Sequence, residues 1–338
     1  MQYRDATMAD RDHVLSIQVF DGLDYLTSTY DKHVTSSSGC AYVAEKDGKI
    51  VAFAFHTTFN DGDVIIERGE RTKHEYRRLG IMTALKKHAI STTLSRYPNA
   101  RLVGDSKLSM AFNPVQHPAG TTVKMEVPLC GTKPATPYAT AKHFGVDVPM
   151  PDYDHLQLLN HAQIRQLLTS SESFTKIGKG QPVVISWVPF TRMSSADVQF
   201  LMECDNPTVI ADLDARGRCS SVSFASCYET SLKVDPTDIH YRIVIDIYSS
   251  DRDLAIQHVY SQVHRHSVML AMYNAKMHFL LALNCPATRE DILDALAKIG
   301  IERFMSFRDD KIPSISVSIR PTTVVKSELN RGMMNVSK

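Results

Sequence analysis

The first 130 residues alternate apolar and polar positions in a way that predicts a mixed α/β domain. Residues 40–59, CAYVAEKDGKIVAFAFHTTF, form two alternating runs joined by Asp47-Gly48, a pair that favours the positive φ angles of a tight hairpin turn. After a further turn, residues 64–72, VIIERGERT, predict a third consecutive strand. A helix is predicted next, because apolar residues recur at helical spacing at Met82, Leu85, Ala89 and Ile90.

Shorter patterns complete this first domain. Residues 1–7, MQYRDAT, predict a first strand, and residues 8–20 carry apolar positions at helical spacing. Residues 100–106 and 121–129 predict the last two strands. Strands and helices thus alternate in the order of an α/β fold.

Prolines divide the chain into two halves. Pro128, Pro134, Pro137, Pro149 and Pro151 fall in a stretch with little hydrophobic periodicity, which indicates an extended connection. The predicted organisation is a domain over 1–130, a proline-rich linker over 131–151, a second domain over 152–322 and a flexible tail over 323–338.

The second half repeats the element order of the first. Residues 209–251 predict a strand, a glycine-containing turn, a strand, a second turn and a third strand, and a helical pattern follows. A helix is predicted over 288–301 and a last strand over 314–319. Residues 265–284 fit either a continuing helix or strands, because periodicity alone does not separate the two.

Composition narrows the classes of function. The net charge is +1, which gives no general attraction to nucleic acid or to a membrane surface. We expect no signal peptide and no membrane helix, because the amino terminus is charged from residue 4 and no apolar run reaches the length of a membrane helix. No metal site is expected, because the six cysteines are scattered without close ligand spacing. Reduced thiols and a cytoplasmic location are therefore expected.

Residues 74–88, HEYRRLGIMTALKKH, raise the question of a phosphate site. A helix amino terminus attracts anions because its first amides are unpaired and its dipole is positive there. A strand precedes this segment, Gly80 allows close approach to the backbone, and Arg77 and Arg78 add positive charge. The alternative is a solvated basic helix face, with Lys86, Lys87 and His88 on it and an incidental glycine.

The same segment resembles the Q/R-x-x-G-x-G/A motif of the Gcn5-related N-acetyltransferases. Arg77 and Gly80 match the motif, whereas Met82 stands where the family has a small residue. The resemblance implies tandem acyl-CoA N-acyltransferase (GNAT) folds of the α/β class, the second degenerate, with acetyl-CoA as co-substrate. It implies that Glu70, Arg71 and Thr72 pair with the pantetheine arm and that the pyrophosphate lies on Arg77, Arg78, Leu79, Gly80, Ile81, Met82 and Thr83.

GLDYL at residues 22–26, AYVAEKDGKIVAF and the later GER together resemble the histidine N-acetyltransferase family. That resemblance implies acetylation of the α-amine of a free amino acid, histidine first, and no nucleic-acid or membrane partner. Another small amine, a protein N-terminus or a non-catalytic CoA- or amino-acid-binding module remain alternatives. Residues 106–120 depart from the family, which has a clearer helix there and a tyrosine near its end that protonates the departing thiolate.

Acetyl transfer needs an uncharged amine, so a carboxylate is expected to accept the proton. Glu67 and Glu70 lie on the strand that would flank the thioester. Three residues apart, they face opposite sides of a regular strand unless a bulge near Gly69 intervenes. Glu67 is favoured slightly, because Glu70 lies in the expected pantetheine-pairing stretch; ion pairing of one glutamate with Arg68 or Arg71 is the alternative.

Asp24 and Tyr25 are the candidate substrate-binding residues. In the superfamily this segment covers the acceptor, where an aspartate would meet an ammonium or imidazole and a tyrosine would stack on a ring. The alternative is that Asp24 caps a helix and Tyr25 packs in the core. In the second half, Asp251 and Asp253 occupy the position of the phosphate turn without a glycine, so that half is expected to hold no cofactor.

Overall fold

The computed structural model describes residues 1–17, 24–109, 120–133, 135, 155–232, 237, 239–271, 273, 275–302 and 314–334. The contacts divide the chain into two compact units. The first comprises Met1–Ser106, Gln116–Met125 and Val317–Lys338, and the second comprises Lys107–Val115 and Glu126–Ser316. Each unit therefore contains segments that are distant in sequence.

The secondary structure follows the order that an α/β fold requires. The described elements are β1 (Gln2–Asp5), α1 (Arg11–Leu15), α2 (Leu26–Thr35), β2 (Gly39–Lys46), β3 (Lys49–Phe59), β4 (Val64–Thr72), α3 (Ile81–Arg96), β5 (Leu102–Ser109), β6 (Val123–Gly131), β7 (Leu156–Leu158), α4 (His161–Thr169), α5 (Ser171–Gly178), β8 (Val183–Ile185), β9 (Val188–Phe190), α6 (Ser195–Cys204), β10 (Thr208–Leu213), β11 (Cys219–Glu229), β12 (Ile239–Tyr248), α7 (Arg252–Leu270), β13 (Ala275–Asn284), α8 (Arg289–Lys298), β14 (Ser314–Pro321) and α9 (Thr322–Met334). Short 3-10 turns lie at Met8–Asp10 and His74–Tyr76.

The first unit is built on strands in the order β1-β2-β3-β4-β5-β14. The pairs β1–β2, β2–β3 and β3–β4 are antiparallel, whereas β4 and β5 are parallel. Asp47 and Gly48 have φ angles of 50° and 73° at the turn between β2 and β3, which confirms the predicted hairpin.

Helices cover both faces of this sheet. Phe53 and Phe55 are buried in a cluster with residues of α1 and α2 such as Tyr30. On the opposite face, Leu85 and Ala89 of α3 are fully buried in a second cluster with strand residues. The predicted apolar stripe of α3 is therefore confirmed, and it fixes which side of the helix faces the sheet.

A bulge interrupts β4 at Gly69. Phe53 pairs with Arg71 and Phe55 pairs with Arg68, so two residue steps on β3 face three on β4. Gly69 takes up the extra residue with a φ of +63°. The side-chain alternation shifts by one position there, and Glu67 and Glu70 come to lie on the same side of the strand.

The second unit has strands in the order β6-β13-β12-β11-β10-β7. β10, β11 and β12 are antiparallel neighbours, and β12 runs parallel to β13. α7 and α8 contribute Val259, Val263 and Leu296 to the buried core of this unit. The predicted repeat is confirmed, because three consecutive strands, a helix and a parallel strand recur. Within the ambiguous stretch 265–284, residues 265–270 form the end of α7 and residues 275–284 form β13.

The carboxyl-terminal segment is a helix as far as Met334. The flexible tail predicted over 323–338 is wrong as far as Met334, because these residues form α9, whose Val325 is buried beside Ile65 and Leu94. Thr322 begins this helix and donates its hydroxyl to the carbonyl of Ala100 at 2.7 Å. Of the predicted linker, residues 134 and 136–151 lie outside the described residues.

Candidate functional site

The turn between β4 and α3 leaves the amino terminus of α3 open. Gly80 is the N-cap residue, with a left-handed φ of 74°, and no described side chain caps the helix. A Cβ atom on Gly80 would meet nothing within 4 Å, so the space in front of the first helical amides is open. The first amides of α3 and the positive end of its dipole therefore face open space, where an anion would be favoured.

A cleft of about 450 Å³ opens at this turn. Its lining comprises Glu70, Arg71, Thr72, Tyr76, Arg77, Arg78, Gly80, Ile81, Met82 and Thr83. Nine of the ten predicted cofactor-binding residues thus surround one cleft; the tenth, Leu79, is 64% exposed and lies outside that lining. Tyr76 is a lining residue that the sequence analysis did not include.

Positive charge flanks the cleft. Arg77 and Arg78 are exposed, and the Nε of Arg77 donates to the carbonyl of Thr72 at 3.2 Å. That bond ties the turn to the end of β4 and leaves the terminal nitrogens of Arg77 at the surface. An anion at the start of α3 would therefore meet backbone amides and guanidinium groups together.

The edge of β4 is open beside the cleft. Its parallel pairing with β5 ends at Glu67–Asp105, although β4 continues to Thr72. The described pairing of β4 with β5 therefore does not include Glu70–Thr72. Such an edge offers backbone amides and carbonyls to an extended ligand that carries amide groups of its own.

The corresponding turn of the second unit is closed by its own side chains. Asp251 caps α7 by accepting a hydrogen bond from the amide of Leu254 at 2.8 Å. Arg252 contacts Asp291 across the start of α8 at 2.5 Å. Asp251 therefore serves as the cap of this helix, which is the role predicted for it from the sequence.

Glu67 and Glu70 share one ammonium group. Lys86 Nζ lies 2.6 Å from Glu70 Oε1 and 3.5 Å from Glu67 Oε2. The sequence leaves open a bulge near Gly69, and this bulge places both glutamates on the same face of β4. The described ion pairs of both glutamates involve Lys86, and that of Arg71 involves Asp24. Lys86 is also not on a solvated face, because its side chain is only 25% exposed.

The charge of Lys86 is stabilised by its neighbours. Burial lowers the pKa of Lys86, but the carboxylates of Glu67, Glu70 and Asp105 outweigh that effect and raise the pKa above its ordinary value. Lys86 therefore stays an ammonium ion at any physiological pH.

His56 on β3 completes this cluster. Its Nδ1 lies 2.8 Å from Thr93 Oγ1, which in turn lies 2.7 Å from the hydroxyl of Tyr42. Its Nε2 faces Glu67 Oε1 at 4.0 Å. Burial, with the nearby Lys86 charge, lowers the pKa of His56 to about 3, so the ring is neutral. Sequence reasoning missed His56; the signal was one ionisable residue within an apolar strand.

Asp24 and Tyr25 lie on the other face of the sheet. The carboxylate of Asp24 forms a buried ion pair with Arg71 and accepts a hydrogen bond from the amide of Leu26 at 3.1 Å. The guanidinium of Arg68 lies over the Tyr25 ring at 5.6 Å. Asp24 therefore contacts Arg71, one of the predicted cofactor-binding residues, inside the first unit.

Among the described residues, no group of three or more histidine, cysteine or acidic side chains is arranged to hold a metal ion. The described helices include none with the length and apolar character needed to cross a membrane. Residues 110–119, where the family would have a helix and its tyrosine, lie outside the described residues.

Comparison with known families assigns the two halves separately. Residues 11–103 match the acetyltransferase (GNAT) family, and residues 153–281 match the C-terminal domain of histidine N-acetyltransferase. A histidine N-acetyltransferase of Oreochromis niloticus is 23% identical over 80% of this chain and 81% of its own. One of Scomber australasicus is 21% identical with the same coverage.

Solved structures share the fold. A tandem GNAT protein from the clavulanic acid biosynthesis pathway has a TM-score of 0.52 and 11% identity, covering 95% of this chain and 98% of its own. An N-myristoyltransferase of Saccharomyces cerevisiae with bound myristoyl-CoA has a TM-score of 0.54 and 10% identity, covering 94% and 78%. These matches support an acyltransferase whose first half is similar to the GNAT family and whose second half is similar to the C-terminal domain of histidine N-acetyltransferase.

Proposed function

We propose that this protein transfers an acetyl group from acetyl-CoA to the α-amine of a free amino acid, histidine first. The observation that carries the proposal is the open amino terminus of α3, with Gly80 in the left-handed region and a cleft in front of it. The names of the relatives support histidine as acceptor, since they are histidine N-acetyltransferases that match along 80% of the chain.

The cleft residues suit the co-substrate from one end to the other. The amides of Ile81, Met82 and Thr83 would hold the pyrophosphate, with Arg77 and Arg78 adding charge-assisted hydrogen bonds. The unpaired edge of β4 at Glu70–Thr72 would bond to the amides of the pantetheine arm. The thioester would then lie where β4 leaves β5, close to the glutamates.

Chemistry at that point needs a proton acceptor for the substrate ammonium. We assign this role to Glu70, because this residue lines the cleft and its side chain is 26% exposed, whereas Glu67 is only 6% exposed and lies outside that lining. This assignment reverses the preference drawn from the sequence. Glu70 takes a proton from the ammonium, the amine nitrogen forms a bond to the acetyl carbon, and the bond from that carbon to sulfur breaks with its electron pair going to sulfur. The acetylated nitrogen then loses a second proton, which the CoA thiolate takes up, so that the products are the N-acetyl amine and CoA.

Asp24 and Tyr25 stay predicted contacts of the acceptor. The ion pair of Asp24 with Arg71 supports a different role for Asp24, which is to stabilise the fold. A measurement of stability separates this role from acceptor binding.

An acceptor screen tests the proposal. The full-length protein is incubated with acetyl-CoA and single amines, and released thiol is measured. We expect turnover with histidine above that with other amino acids, small amines and N-terminal peptides. Turnover with another amine would replace the acceptor, and CoA binding without turnover on any amine would favour a non-catalytic binding module.

A further inference from the structure

We propose that Lys86 is the positioning residue that holds Glu70 in place as proton acceptor, with Glu67 as the buried counter-charge on the other side of the ammonium. The inference rests on the proposed function and deepens it. Lys86 is part of neither the matched phosphate motif nor the lining of the cleft, and its role follows only from the contacts of its side chain.

The geometry gives Lys86 two unequal contacts. Its Nζ lies at hydrogen-bond distance, 2.6 Å, from Oε1 of Glu70, while Oε2 of Glu67 is farther away at 3.5 Å. The contact with Glu70 uses one carboxylate oxygen, so the other oxygen can face the cleft. A donor bound to one oxygen restricts rotation of the carboxylate and fixes the direction of the second oxygen.

Glu67 lies between His56 and Lys86. The neutral imidazole of His56 is fixed by the contact of its Nδ1 with Thr93 Oγ1, which in turn contacts the hydroxyl of Tyr42, and its Nε2 lies 4.0 Å from Oε1 of Glu67. Lys86 approaches the other oxygen of the same carboxylate. Glu67 is therefore enclosed by the imidazole of His56 on one side and by the ammonium of Lys86 on the other, and only 6% of its side chain is exposed, which suits a buried counter-charge better than a group that meets the substrate.

The balance of charge explains why a lysine is needed. Three carboxylates, those of Glu67 and Glu70 on β4 and Asp105 on β5, act on Lys86, while the facing histidine of β3 is neutral. Without Lys86, adjacent carboxylates would repel one another and one of them would take up a proton near neutral pH. A protonated Glu70 accepts nothing, so loss of Lys86 would move the onset of activity to higher pH.

The test is the pH dependence of kcat/KM in the full-length protein, measured with acetyl-CoA and the best acceptor of the screen. In Lys86→Met we expect kcat at pH 7 to fall about 10- to 100-fold. The acidic limb should shift upward by about one pH unit or more, with KM for acetyl-CoA little changed. Lys86→Arg keeps the positive charge and should keep the position of the acidic limb. Lys87→Met, the exposed neighbour on α3, is the matched control and should behave as wild type.

Each outcome decides the proposal. An unshifted acidic limb in Lys86→Met, or a raised KM for acetyl-CoA at unchanged kcat, would overturn the role of Lys86 and leave the proposed function standing. No turnover by the wild-type protein on any amine would overturn the proposed function and this role with it. If Lys86→Met does not fold, as judged by circular dichroism, Lys86→Gln replaces it and is judged by the same criteria.

Discussion

Asp24 and Arg71 form an ion pair in the interior of the first unit. The pair links the segment just before α2 to the end of the bulged strand β4. The side chains of Asp24 and Arg71 are 7% and 2% exposed, so hydration stabilises neither charge and each depends on the other. The guanidinium also donates to the carbonyl of Gly69 at 3.2 Å and lies over the ring of Phe53. The pair thus joins the α2 side of the sheet to the bulge that orients the glutamates.

Breaking this pair should destabilise the protein. Asp24→Asn leaves the Arg71 charge buried without its anion, and we expect the free energy of unfolding to fall by about 3–5 kcal/mol, measured by urea denaturation. The double variant Asp24→Leu, Arg71→Met removes both charges and should recover most of that loss. Asp5→Ala, which breaks the exposed pair with Arg96, is the control and should cost less than about 1 kcal/mol.

The alternative role of Asp24 gives a different result. If Asp24 binds the acceptor, Asp24→Asn will keep the wild-type stability and raise KM for the amine. Such a result would contradict the architectural role of the pair.

Gly80 is expected to control CoA affinity. Gly80→Asp places a carboxylate at the amino terminus of α3, where the pyrophosphate would lie, and we expect calorimetry to show a loss of CoA affinity of about 10-fold or more. Gly80→Ala is the control for backbone strain at a φ of 74°; its methyl group meets open space and should change affinity much less.

The same titration counts the sites. One CoA equivalent per chain is expected, because Asp251 occupies the matching helix start of the second unit. Unchanged affinity in Gly80→Asp would contradict the phosphate site, and a second equivalent that survives this substitution would contradict the expectation for the second unit.

Glu70 and Glu67 should differ in their effects on the rate. Glu70→Gln removes the proton acceptor, and we expect kcat to fall about 100- to 10,000-fold with loss of the acidic limb of the pH profile. Glu67→Gln should lower kcat less and keep that limb. Glu75→Gln, an exposed glutamate of the following turn, serves as the control. A larger loss in Glu67→Gln than in Glu70→Gln would restore the preference drawn from the sequence.

Asp246 should make stability depend on pH in the second unit. It is fully buried on β12, and burial raises its pKa to about 7 against the hydrogen bond from the amide of Ser186. Between pH 4 and 7 the folded state therefore holds a proton that the unfolded state has released. Stability attributable to Asp246 should fall as pH rises through this window, by up to about 4 kcal/mol, and stay level above pH 7.

Asp246→Asn isolates this effect. The amide oxygen can still accept the hydrogen bond from Ser186, so the variant should be at least as stable as wild type at pH 8. The difference between the two proteins should disappear toward pH 4. Buried His258, whose pKa is lowered to about 3 by burial, acts in the opposite direction in both proteins and cancels in the comparison. Parallel curves for both proteins would contradict the raised pKa.

Local patterns predicted much of the fold and of the cleft. The Asp47-Gly48 turn, the apolar stripe of α3 and the start of α8 at Thr288 depend on neighbours in sequence, and the structure confirms each of them. The residues of the phosphate turn could be predicted for the same reason, since strand, glycine and helix follow one another directly.

Long-range contacts explain what sequence reasoning missed. A bulge near Gly69 is one of two possibilities in the sequence, and only the pairing of β3 with β4 decides that Glu67 and Glu70 share a face. The contact of Lys86 with Glu70 spans 16 residues and that of Arg71 with Asp24 spans 47. Such pairs depend on how helices lie on the sheet, which no local pattern specifies.

The assignment of Val317–Lys338 to the first unit sets an order of events during synthesis. Residues 1–106 leave the ribosome early, but the strand and helix that cover Ala100 and Val103 emerge only after the whole second unit has been translated. The first unit can therefore complete its core only after the second unit has been translated. A nascent chain arrested before Val317 would expose apolar surface around Ile65 and Leu94, and chaperones act on such surface.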